Sequence, residues 1–143
     1  MTEHQSRQIG RAEILKTLFV AVLIVELYLM INETRGDFAN GILFYIDYHT
    51  NIYVFSFYLI LFGSAYFFGQ KAGREIIVLN KSSFNTAIKY SLLTTGTIAL
   101  FAGIVTAVNK ANVFYIILLA LVALIPMTLI WPWSTRQIKA KGG

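Results

Sequence analysis

Ile14-Leu-Lys-Thr-Leu-Phe-Val-Ala-Val-Leu-Ile-Val-Glu-Leu-Tyr-Leu-Met-Ile-Asn32 is the stretch that decides the fold class. Only Lys16 and Glu26 interrupt it with charge, and its length approaches the roughly 20 apolar residues a helix needs to cross a hydrocarbon core about 30 Å thick. Three further runs have the same character: Ile52–Gly69, Ala87–Val108 and Val113–Trp133. The expectation is therefore an all-α polytopic membrane protein, a four-transmembrane-helix bundle forming one membrane domain over residues 1–143.

The composition agrees. Hydrophobic residues make up 57% and charged residues 13%, and the mean hydropathy is +0.64. A water-exposed globule with so little polar surface would aggregate. The chain has no cysteine, which excludes disulfides, thiolate metal sites and thiol redox chemistry. Residues 1–13 are polar with both charge signs, and no small-x-small cleavage pattern follows the first apolar run. Ile14–Asn32 is accordingly expected to be a permanent span and not a removable signal.

Ten of the 12 lysines and arginines cluster on one predicted side: Arg7, Arg11 and Lys16; Lys71, Arg74, Lys81 and Lys89; Arg136, Lys139 and Lys141. The other loops hold Arg35 and Lys110. Such a bias in short loops marks the cytoplasmic face, so both termini are expected there, in a plasma-membrane or inner-membrane type of setting. The same side chains suit anionic lipid headgroups. Nucleic acid is not an expected partner, because the charges are scattered and no stacking aromatics lie between them.

The ends of the spans carry their own signals. Ser82, Ser83 and Asn85 are placed to cap the third span. Gly69 and Gly73 predict that the second stops near them. Asn109–Asn112 predicts a tight turn between the third and fourth. Pro126 predicts a kink within the fourth, and Trp131 and Trp133 an interfacial anchor at its end. In the third span Gly96, Ala99, Gly103 and Ala107 recur every three or four residues, a stripe through which helices in lipid approach closely. Ser91, Thr94, Thr95, Thr97 and Thr106 lie beside it. Two readings stay open for these hydroxyls: bonding to their own or neighbouring helices, or a polar lining for a solute.

Glu26 sits about 18 Å along the first span at 1.5 Å per residue, near the midplane. A charged residue there costs roughly 2.5–3.5 kcal/mol on insertion scales, so a Glu must be protonated, paired or wet. Candidate donors are the span-three threonines, Tyr58 and Tyr115. Glu33 is seven residues on, along the same face. The aromatic-rich segment Thr34–Asn51 is too greasy to float in water and is expected to lie along the interface or dip back. It supplies Asp47 and His49, and if the second span extends outwards, His49, Ser56 and Gly63 share a face. Glu26, Glu33, Asp47 and His49 are thus candidates to converge at the outer mouth, where one imidazole with carboxylates can relay a proton or hold a divalent cation. Their spacing is no metal motif, no cofactor is implied, and the identity of any metal stays open.

The cytoplasmic loop Gln70–Thr86 alternates basic residues with Ile76–Leu79 and reads as a lipid-gripping turn or as a docking segment for a partner. Enzyme readings fare badly: there is no G-x-S-x-G or phosphate-binding glycine loop, and His4 and His49 fall at opposite ends. Two functions remain. One is a non-catalytic membrane subunit that packs beside partner proteins or copies of itself. The other is an oligomeric proton or cation channel or transporter using Glu26.

Overall fold

In the computed structural model every residue is described but Ala111 and Val113, and the side chains of Tyr115, Ile116 and Leu119 also lie outside the described residues. The described residues form five α-helices: α1 (Glu3–Thr34), α2 (Phe38–Thr50), α3 (Ile52–Gly73), α4 (Ser83–Val108) and α5 (Phe114–Gly142). A π-helical turn over Arg74–Val78 extends α3. Among the described residues three helices are long and apolar enough to cross a membrane: Glu3–Thr34, Ile52–Val78 and Ser83–Val108. The start of the fourth expected span, at Val113, lies outside the described residues, as does part of the Asn109–Asn112 turn.

Capping explains where the helices begin. The Thr2 hydroxyl accepts from the Gln5 N–H while the Gln5 side chain accepts from the Thr2 N–H, a reciprocal box that starts α1 in the polar leader, well before Ile14. Asp37 accepts from both the backbone and the side-chain amide of Asn40 and so nucleates α2 inside a segment expected to be a loop. Asn51 breaks the chain with ψ 127°, and its side chain caps α3 by accepting from the Tyr53 N–H at 2.9 Å. This break corrects one expectation: His49 and Ser56 stand on separate helices, not on one continuous face. Ser82 caps α4 as expected.

The α-helical part of α3 ends at Gly73 as expected, the π turn carrying the chain on to Val78, and Gly69 and Gly73 are also where α3 touches α1. A Cβ on Gly10 would lie 2.1 Å from the Gly69 carbonyl oxygen and 2.6 Å from the Gly73 Cα, and one on Gly73 would lie 2.1 Å from the Ser6 carbonyl oxygen. Only glycine permits this backbone approach. The helix α5 stays unbroken through Pro126 and Pro132.

The buried core lies in the half of the bundle that carries both termini: Ile14 and Leu18 on α1, Leu61, Ala65 and Ala72 on α3, Ala87, Tyr90 and Ile98 on α4, and Met127, Ile130, Trp131 and Ile138 on α5. Polar groups lock it. Trp131 donates to the Thr94 hydroxyl at 3.1 Å, and Ser91 donates to the Met127 carbonyl at 3.0 Å. Tyr90 stacks on Trp131 at 5.3 Å. Buried Glu13 pairs with Lys141 of the C-terminal turn. In the opposite half the pair α1–α3 and the pair α4–α5 splay apart around a largely apolar wedge of about 630 Å³. The bundle is closed at one end and open at the other.

The third-span stripe does not serve as the packing centre. The inward face of α4 is the hydroxyl face, with Thr86, Ser91, Thr94, Thr95 and Thr106 buried. Gly96, Ala99, Gly103 and Ala107 line an open trough on its outer side, and a Cβ at Gly96 would meet nothing within 4 Å.

Candidate functional site

The candidate site is a polar cluster built by three helices around Glu26. α2 folds back antiparallel to α1, drawn close by Gly41, whose ideal Cβ would lie 2.4 Å from the Glu33 carbonyl oxygen. That contact fixes the register. Tyr45 and His49 stand one and two turns on from Gly41 along the same face of α2, which brings them level with Glu26. Tyr58 arrives from α3.

All three side chains engage the carboxylate. Tyr45 donates its hydroxyl to Glu26 Oε2 at 2.9 Å, and Tyr58 donates to Oε1. His49 Nε2 lies 2.8 Å from Oε2. The Glu26 side chain keeps only 13% of its exposure and His49 28%. The imidazole is boxed by aromatic rings, with Tyr45 at 4.2 Å, Tyr48 edge-on at 5.0 Å and Tyr58 nearly parallel at 6.3 Å.

The proton count follows from the acceptors. His49 Nδ1 lies 2.7 Å from the Tyr45 carbonyl oxygen, and a carbonyl can only accept, so Nδ1 carries hydrogen. Nε2 and Glu26 Oε2 then share one proton: either the carboxylic acid donates to a neutral ring, or an imidazolium donates to a carboxylate. Both arrangements leave the pair with no net charge, which removes most of the cost of a lone ionised Glu at this depth. Burial first, then the bond to Glu26 and that residue's charge, pushes the Tyr45 phenol above its ordinary value of 10.0, so Tyr45 remains a donor at neutral pH.

Of the four residues expected at the mouth, Glu26 and His49 meet, and Glu33 and Asp47 do not join them. Asp47 is two residues from His49, about 200° around the helix, and is exposed. Glu33 lies about 10 Å farther along α1, where its backbone meets Gly41 of α2. Among the described residues no three His, Cys, Asp or Glu side chains gather to hold a metal ion, so the cation arrangement sketched from the sequence is not formed. Tyr58 is one of the donors anticipated for Glu26; the side chain of Tyr115 lies outside the described residues. Of the α4 hydroxyls, Ser91 and Thr94 bond α5, Thr97 bonds its own helix at the Leu93 carbonyl, and Thr95 is buried with no hydrogen-bond partner among the described residues. Tyr45 and the Gly10, Gly69 and Gly73 contact went unread in the sequence. The second had a signal, since Gly69 and Gly73 are spaced four apart in the small-xxx-small pattern.

The fold and site define an all-helical protein with, among the described residues, three helices long and apolar enough to cross a membrane and a half-buried Glu–His–Tyr cluster where α1, α2 and α3 meet. Compared with known protein families, curated proteins and solved structures, the chain matches none.

Proposed function

We propose that this chain is a four-span integral membrane subunit without catalytic activity, with both termini cytoplasmic, that packs beside partner membrane proteins or further copies of itself. The observation that carries this reading is the direction of Glu26: its carboxylate is turned onto donors from α2 and α3, as a residue specifying helix packing is. The remaining apolar length of α5 supports the fourth crossing, and the clustered basic residues support the orientation. The outward trough of Gly96, Ala99, Gly103 and Ala107 is a face through which another helix can approach. Anionic headgroups suit the basic residues at the end that carries the termini.

A second reading, proton or cation transport, draws on the one proton shared by Glu26 and His49. Packing between Glu26 and the end that carries the termini weighs against it. Towards the termini Glu26 is followed by the packed side chains of Leu18, Ile14 and Leu61 and by the glycine contact between α1 and α3. Purified protein reconstituted in liposomes under an imposed potential separates the two, since 100 mV applies about 2.3 kcal/mol per charge. Vesicles equally tight with wild type and Glu26→Gln are expected. A flux that disappears in Glu26→Gln would overturn the subunit reading and place the pathway on α1.

A further inference from the structure

The open half of the bundle leads to an inference that needs no partner protein. We propose that the wedge between α1, α3, α4 and α5 is a binding site for the chain of one uncharged-headed, single-chain amphiphile, a monoacylglycerol in class.

Its dimensions favour a lipid chain over a helix. Along α4 the lining runs from Ile98 to Asn109, about 16 Å at 1.5 Å per residue. That is half of a hydrocarbon core about 30 Å thick, the depth of one leaflet. A volume of about 630 Å³ over that depth leaves a mean cross-section of about 40 Å². A helix 10–12 Å across occupies about 80–110 Å² and would have to force the two helix pairs apart. An extended chain needs no such spreading.

The lining is graded like an amphiphile. Its floor is Leu18, Leu61, Ile98, Met127 and Ile130, all buried. Among the described residues its polar members Tyr48, Tyr53, Thr106 and Asn109 lie towards the opposite end, Tyr58 lies between and gives its hydroxyl to Glu26, and no charged side chain lines it. Thr106 lines the wedge and is 7% exposed. Tyr53 donates to Asn109 at 3.2 Å and can still accept from an alcohol. The surrounding end carries three acids, Glu33, Asp37 and Asp47, against two bases, Arg35 and Lys110, so its net charge does not favour an anionic headgroup. Entry is sideways, between Val25 on α1 and Val122 on α5, which line the wedge and are 53% and 58% exposed.

The test uses the full chain in phosphatidylcholine nanodiscs with a monoacylglycerol carrying a diazirine near the end of its chain. After irradiation, labelled peptides are mapped by mass spectrometry. The expected result is saturable labelling around Leu61 and Met127, displaced by excess unlabelled monoacylglycerol and not by phosphatidylglycerol. Filling the wedge with Ala102→Phe or Ala123→Phe should cut it roughly tenfold, while Gly96→Phe in the outer trough should not. Labelling that never saturates and spreads over lipid-facing Leu100, Ile104 and Leu129 would overturn the proposal, as would equal displacement by phosphatidylglycerol or cross-linking of a second copy within the wedge. The wild-type map and competition decide the matter even where a variant does not fold.

Discussion

Replacing Gly10 with alanine adds one methyl group at the tightest point of the bundle. The new Cβ would stand 2.1 Å from the Gly69 carbonyl oxygen and 2.6 Å from the Gly73 Cα and nitrogen. Each of these obstacles is backbone, so no side chain can swing aside. To restore a contact near 3.4 Å, α1 and α3 must part by about 1 Å. A gap of that size forfeits a quarter to a half of each dispersion well along the seam, and overpacking a tight contact costs about 1–3 kcal/mol. In lipid there is no hydrophobic drive between helices to compensate, which puts Gly10→Ala at the upper end of that range.

The control is Gly96→Ala, where the added Cβ meets nothing within 4 Å and helix propensity changes by about 1 kcal/mol in favour of alanine. Reversible unfolding in mixed micelles, followed by circular dichroism as denaturing detergent is titrated in, should separate the two variants by about 2 kcal/mol or more. Equal stabilities would refute the reasoning, because they would mean that α1 and α3 do not meet through these glycines. A loss at Gly96 with none at Gly10 would return the packing centre to the α4 stripe.

Glu26→Leu should cost about 1–3 kcal/mol more than Glu26→Gln in the same assay, since leucine strands two tyrosine hydroxyls and an imidazole whereas the amide can still accept and donate; equal losses would remove the cluster from the packing account. Nitrogen NMR of His49 should find hydrogen on Nδ1 when the ring is neutral, set by the Tyr45 carbonyl at 2.7 Å, and a neutral ring protonated on Nε2 would contradict the proton count. For Tyr45 the folded pKa is raised, so its contribution to stability is full below the ordinary value of 10.0 and is lost as pH rises through the folded value. Tyr45→Phe should therefore flatten the alkaline loss of stability seen with the wild type, and an unchanged slope would count against that contact. Lys141→Ala leaves buried Glu13 with only Lys16, 3.9 Å away; because the lysine is half exposed, a cost of about 1 kcal/mol is expected, measured as above and absent in a Glu13→Gln background.

That the chain forms helices long and apolar enough to cross a membrane was legible, because this rests on run length and composition, which tertiary contacts do not alter. Glu26 was legible for a related reason: an ionisable residue flanked by aliphatic side chains has to find a partner wherever the chain goes. Its partners were only half visible. Tyr58 could be named because it faces inward on a predicted span. Tyr45 could not, because its role depends on α2 forming at all, and that depends on the local bond from Asn40 to Asp37 and on the break at Asn51. Asp47 was misplaced by the same ignorance, since two residues along a loop are neighbours and two residues along a helix are nearly opposite. Gly69 and Gly73 were half legible: α3 does end at Gly73, but glycine near a helix end can also be a contact, and only Gly10 on the other helix shows that it is.

The two halves of the bundle divide the work of folding in lipid. Near the termini, glycine contact, buried hydroxyls and the Glu13–Lys141 pair let four helices close on one another without any hydrophobic drive. In the opposite half the one polar bond among the described residues from the pair α1–α3 to the pair α4–α5 is that of Tyr53 with Asn109, and the wedge lies between the pairs. The α2 helix and the Glu26 cluster are what hold α1 to α3 there. Loosening the cluster should therefore widen the open half and leave the closed half intact. That outcome has its own signature: in Glu26→Leu, amide exchange should quicken along α2 and the far ends of α1 and α3 while Thr94, Ser91 and Trp131 stay protected. Uniform quickening along all helices would show instead that the two halves fold as one.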